Sequence, residues 1–175
     1  MNFDQLDKKI NENFFKGNYK DSLKDLIKIY KLNKKSDISN KIGVVLLKLN
    51  KKKFARQFFE ISAKEDNNNF KPFFNLANLL KRSDPMLSEK YIDLALKIET
   101  KPEATILKSH LLINRYQYIT AIKLLEKLQT AESFYLLGLS HLSLGNDTKS
   151  KSYFDESIKF KNNQINFLNL NTFPR

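Results

Sequence analysis

Cysteine and tryptophan are missing from this chain, and its 175 residues include only four glycines and four prolines. The lack of cysteine excludes disulfides, thiolate metal sites and cysteine nucleophiles. So little glycine and proline leaves little material for β-hairpin turns or glycine-rich phosphate loops, and the sequence reads as all-helical. No run approaches the roughly 18 apolar residues that a membrane span needs. The opening residues, Met1 to Lys9, contain no signal-peptide h-region, so a cytoplasmic location is expected. No GxxxxGK[ST], GxGxxG or GxSxG sequence occurs. The histidines, His110 and His141, show no HExxH spacing, and the carboxylate pairs Glu65-Asp66 and Asp155-Glu156 read as solvated helix faces or ends. The expectation is a protein without catalytic residues, cofactor or metal.

Lysine is what the sequence has in excess. Its 31 basic residues include 27 lysines and four arginines, against 19 carboxylates, for a net charge of +12. Asparagine occurs 19 times, and a general lysine and asparagine bias accounts for part of the charge. The imbalance is uneven: residues 1–90 carry 20 basic and 11 acidic side chains, residues 91–175 carry 11 and 8. A basic N-terminal half attracts anions without selecting one. Lys34-Lys35 and Lys51-Lys52-Lys53 fall at expected turns and read as solvated. RNA recognition would want arginines and aromatics interleaved along a groove, whereas the 14 phenylalanines and seven tyrosines mostly occupy helix-packing positions.

A repeat underlies the pattern. Gly17-Asn18-Tyr19 and Gly145-Asn146-Asp147 each separate two helical runs, as tight turns do. Gly43 and Gly138 lie inside helical runs, where glycine costs about 1 kcal/mol against alanine, a cost accepted where another helix must come close. Small residues recur at Ser22, Ala55, Ser88, Ala121 and Ser150, spaced 33, 33, 33 and 29 residues apart. Bulkier residues follow four positions later (Leu26, Phe59, Ile92, Leu125, Phe154), and a further set seven positions later (Ile29, Ser62, Ala95, Leu128, Ser157). These offsets keep one helix face inward. Pro72 and Pro102 fall in opening helical turns. Thr100-Lys101-Pro102-Glu103 reads as a capping box, and Asp84-Pro85 as an N-cap with the first helical residue.

These residues resemble the tetratricopeptide repeat (TPR) family. The 34-residue stretch from Ala131 to Gln164 places Phe134, Leu137, Gly138, His141, Gly145, Ser150, Phe154 and Ser157 at the family's signature positions, with His141 in place of an aromatic. Ile42, Gly43, Leu46, Ala55, Phe59 and Ser62 carry the likeness in a unit over 36–69. Phe73, Leu76, Ala77, Leu80, Ser88 and Ala95 carry it over 70–101, with a shortened turn. Units over 3–35 and 102–130 are marked by Gly17-Asn18-Tyr19 with Ser22, and by Tyr118, Ala121 and Leu125. The resemblance implies an all-α, right-handed superhelical solenoid of antiparallel helix hairpins over 1–164. Residues 165–175 would form a capping helix, or the lead-in to a further domain.

The resemblance also implies that the first helix of each pair lines a concave groove. Exposed groove positions would be Asn40, Lys41, Val44 and Lys48, then Lys71, Phe74, Asn75, Asn78, Lys81 and Arg82. Farther on they would be Leu107, His110 and Asn114, and then Tyr135, Leu136, Leu139 and Leu142. His141, at a packing position, reads as a core histidine. The groove would run from a basic, amide-bearing middle to an apolar end. The residue set of the chaperone-tail carboxylate clamp is not present, since Val44, Glu103 and Leu107 stand where the clamp needs amide or basic side chains. The expected function is a non-enzymatic adaptor that binds an extended or acidic segment of another protein. The alternatives are the recognition region of a larger enzyme such as a transferase, a polyanion- or RNA-binding protein, and self-association through the end helices.

Overall fold

The computed structural model describes residues 3–171, with side chains from 5 to 162. The described residues form ten α-helices: α1 (Phe3–Phe15), α2 (Tyr19–Leu32), α3 (Ser36–Lys48), α4 (Lys52–Glu65), α5 (Phe70–Leu80), α6 (Pro85–Ile98), α7 (Pro102–Asn114), α8 (Tyr118–Leu125), α9 (Ala131–Ser143) and α10 (Asp147–Asn171). Odd and even helices pack as hairpins, and α2 with α3, α4 with α5 and α8 with α9 join neighbouring hairpins. The chain divides into two compact units, Met1–Glu99 and Thr100–Arg175.

Four hairpin turns use one backbone device. Gly17, Asn50, Tyr116 and Gly145 all have positive φ. In each, the next residue's N–H reaches back five residues: Asn18 to Asn13 O, Lys51 to Leu46 O, Gln117 to Leu112 O and Asn146 to His141 O. That left-handed step satisfies carbonyls a helix end would otherwise leave unpaired. The α5–α6 turn lacks it, and α6 is started instead by Asp84, whose side chain accepts from Leu87 N, with Pro85 in the first turn.

The first unit is built on the small recurring residues. Ser22, Ala55 and Ser88 are fully buried where paired helices cross, and Leu26, Phe59 and Ile92 pack one turn on. The serines also form hydrogen bonds: Ser22 Oγ donates to Ile10 O at 3.0 Å and Ser88 Oγ to Ala77 O at 2.7 Å. A buried hydroxyl left unpaired would cost about 1–3 kcal/mol. Gly43 faces the Phe59 ring so closely that a Cβ would lie 2.4 Å from its Cε1. Around this seam Ile10, Leu26, Ile29, Ile42, Val45, Leu46 and Leu76 complete the core.

The second unit repeats the seam with Ala121, Ser150 and Gly138, where a Cβ would meet Phe154 Cε1 at 2.6 Å. Ser157 Oγ donates to Ala131 O at 2.7 Å. Its core gathers Ile106, Leu112, Ile122, Leu125, Leu136 and Leu137. His141 is buried and stacks flat on Tyr153, ring centroids 5.4 Å apart.

Two local expectations change. Thr100 does not cap α7: the N-cap is Lys101, in extended backbone without a side-chain cap, because helix geometry begins at Pro102. The capping box sits instead on α9, where Thr130 and Ser133 exchange side-chain to backbone bonds. Residues 165–171 continue α10 without a break. The side chains of Ile165, Phe167 and Leu168, and the end with Phe173 and Pro174, lie outside the described residues.

Candidate functional site

In the first unit, α1, α3 and α5 present their outward residues on one side, and polar contacts link them at intervals of one repeat. Lys41 of α3 pairs with Asp7 of α1 across 34 residues. Lys71 of α5 pairs with Asp37 of α3 at 2.9 Å, again across 34 residues. Asn75 Nδ2 donates to Asn40 Oδ1 at 2.8 Å. The Lys71 hydrogen bond and charge hold the Asp37 carboxyl below its ordinary value, although partial burial works the other way. Two of the groove lysines thus already have carboxylate partners.

Asn40 was expected to be exposed and is instead buried at 6% exposure. It lies against the α1–α3 contact, and its amide is kept polar-satisfied by Asn75. Phe74 is half-buried and stacks on Phe70 with centroids 5.5 Å apart, while Lys48 is exposed at the end of α3. Between α1 and α3 lies a cavity of about 220 Å³. Phe14, Phe15, Val44 and Val45 give it apolar walls, and Asn11, Asn40 and Lys41 give it a polar edge. The sequence reading missed the α1 side of this cavity, because the first repeat is recognisable mainly by its turn. The adjacent Phe14 and Phe15 ahead of Gly17 were the available signal; Phe14 is half-buried and Phe15 is 85% exposed.

Lys81 and Arg82 lie past the end of α5. Lys81 is the C-cap of α5 and Arg82 lies in the turn, since α5 ends at Leu80. They join Lys52, Lys53 and Arg56 of α4 and the exposed Asn78 around an open cavity of about 600 Å³. Arg56 is held by Glu60 at 2.8 Å, which raises its pKa.

In the second unit the aliphatic groove positions behave differently. Leu107 and Leu136 were expected to face outward and are 5% and 1% exposed. Leu136 packs into the core of the second unit, and α7 and α9 touch directly. His110 Nε2 lies 3.3 Å from Glu132 Oε1. Tyr135 is 49% exposed with its ring tilted on Phe154, Leu139 is half-buried, and Asn114 and Leu142 are exposed. Among the described residues no cluster of three or more metal-ligating side chains occurs, and no helix is long and apolar enough to cross a membrane.

No family model and no curated protein matches the sequence. Solved structures do match the backbone over nearly its whole length. The crystal structure of MamA superposes with a TM-score of 0.78 at 13% identity, covering 95% of this chain and 98% of that one. YrrB, a TPR protein with an unusual peptide-binding site, superposes at 0.71 with 19% identity, covering 94% and 89%. The fold is that of the tetratricopeptide repeat. PilW, a widely conserved type IV pilus biogenesis factor, shares it at 0.78 with 16% identity, covering 93% and 80%. Within the TPR fold the mid-helix glycines and the buried serines are seam residues, which leaves the outward residues of the first helices as candidates for binding.

Proposed function

We propose that this chain is a non-enzymatic protein-interaction module that holds an extended segment of another protein along α1, α3 and α5. The observation that carries the reading is the apolar cavity between α1 and α3, edged by amides and a lysine on a helical face that is otherwise polar. Such a cavity accepts one aliphatic or aromatic side chain, and the Asn40–Asn75 pair offers spare amide donors and an acceptor to peptide backbone. Lys41 and Lys71, being paired already, serve to fix the face and to favour acidic ligands through a local positive field. In the second unit His110, Tyr135 and Leu139 form a candidate surface of their own.

The test is selection of peptides from a displayed random library against the wild-type protein, followed by titration of the enriched peptides. Val44→Arg blocks the cavity, and because Val44 is half-buried against the core the variant is first checked for native helicity by circular dichroism. Enriched peptides are expected to carry an apolar residue and to lose about tenfold or more in affinity for Val44→Arg. Equal affinity for both proteins would refute the assignment.

A further inference from the structure

A second surface of the first unit has a chemistry of its own. Ser22, Leu26 and Ile29 turn one side of α2 into the core. The opposite side presents Leu23 and Ile27, which with Leu49 floor an open cavity of about 640 Å³. Its rim is formed by Lys20, Lys24, Lys28, Lys31 and Lys51. Lys28 pairs with the buried Asp25, and the other four make no ion pair among the described residues. Five cations around an aliphatic floor are costly for an isolated protein, since like charges repel and Ile27 stays 38% exposed to water.

We propose that this outer face of α2 is a docking site for an acidic, aliphatic segment of another protein, separate from the α1–α3 cavity. Charge complementarity selects the occupant: carboxylates meet the lysine rim while aliphatic side chains cover Leu23, Ile27 and Leu49. Nucleic acid fits less well, because the lining has neither an aromatic ring nor an arginine on which bases could stack. A bilayer fits less well too, because the lining offers only three aliphatic residues, Leu23, Ile27 and Leu49, and no aromatic anchor for insertion. A second copy of this chain offers Asp155-Glu156 beside Ile158, but Lys151, Lys159 and Lys161 on the same helix would oppose the site's own charge.

The test titrates five proteins with a synthetic helical peptide bearing glutamate and leucine at three- and four-residue spacing. The proteins are wild type, Lys24→Glu/Lys31→Glu, Ile27→Ser, Lys53→Glu/Arg82→Glu and Val44→Arg, each checked for native helicity by circular dichroism. Parallel titrations use the peptide with glutamine for glutamate, the peptide with serine for leucine, an oligouridine RNA and phosphatidylserine vesicles. Binding to wild type is expected to weaken as salt rises. It should fall about tenfold or more for Lys24→Glu/Lys31→Glu, for Ile27→Ser and for either altered peptide. The Lys53→Glu/Arg82→Glu and Val44→Arg proteins should bind as wild type does. The proposal is overturned by failure of the acidic peptide to bind, or by equal loss in Lys53→Glu/Arg82→Glu without loss in Ile27→Ser, which would mark a general polyanion field. It is also overturned if RNA or vesicles bind more tightly at the same lysines, or if only Val44→Arg weakens the peptide. Because Val44→Arg is the variant that tests the α1–α3 cavity, the two proposals fail separately.

Discussion

The two units use one seam and finish it with different surfaces. The first carries 21 basic and 13 acidic side chains, a net +8, and its outward residues are organised by Asp7–Lys41, Asp37–Lys71 and Asn40–Asn75. The second carries 10 and 6, a net +4, and buries aliphatic residues where the first places polar ones. The two also differ in their helices. In the second unit α8 has only eight residues, and α7 and α9 touch directly. In the first unit the second helices run to 14 residues, and the first helices are joined by ion pairs and an amide pair.

The comparison can be tested by mutation, and the largest effect is expected at the seam glycines. Gly43→Ala would press a Cβ into the fully buried Phe59 ring, and about 2–3 kcal/mol of stability should be lost despite alanine's better helix propensity. Gly138→Ala meets Phe154, which is only half-buried and can swing outward, so about 1 kcal/mol is expected. Urea melts of the two variants rank the seams; equal losses would show that both are equally rigid.

Next comes Asp25, the one buried carboxylate among the described residues of the first unit. Burial alone would raise its pKa, but hydrogen bonds and charge from Lys9 at 3.1 Å and Lys28 at 3.3 Å together hold it below the ordinary 3.8. A carboxyl lowered in the folded state adds stability that is complete above 3.8 and disappears as pH falls through the lower folded value. Asp25→Asn should therefore cost about 1–2 kcal/mol at neutral pH, and the gap from wild type should close in strong acid. Urea midpoints of both proteins followed downward from neutral pH check the sign.

The smallest effects should come from the turns. Tyr116 occupies a left-handed conformation at φ 60° that costs a non-glycine residue about 1 kcal/mol. Tyr116→Gly should stabilise the protein by about that amount, while Asn50→Gly, replacing a residue that tolerates the region, should change it by only a few tenths. A thermal melt in which Tyr116→Gly lowers the midpoint would show that the Tyr116–Tyr118 ring contact outweighs the strain.

Much of the fold was legible because seam positions tolerate few side chains. Gly43 and Gly138 could be read as close contacts, and the packing rings are where that reading requires. Asp84-Pro85 could be read as a helix start because the cap is local chemistry. Burial of Leu107 and Leu136 was not legible: it depends on what packs against α7 and α9 in the folded chain, which no residue of α7 or α9 states. That Lys81 and Arg82 lie beyond the helix was not legible either, since α5 ends two residues earlier than the 13-residue first helices of the other repeats. The α1 half of the candidate cavity was missed for want of a second helix against which to read Phe14 and Phe15. Asp7–Lys41 and Asp37–Lys71 share a 34-residue interval that the sequence displays, but an interval becomes a contact only when the helices are laid side by side.

The serine-to-carbonyl bonds have a consequence for how such a chain can change length. Four that join paired helices, from Ser22 to Ile10, from Ser62 to Ser36, from Ser88 to Ala77 and from Ser157 to Ala131, close within a single hairpin. A hairpin that is copied or deleted as a whole therefore brings these bonds and its register with it. Unequal recombination at the loops between hairpins would yield chains whose pieces are already aligned, so gain or loss of repeats is an easier path for this architecture than drift within one.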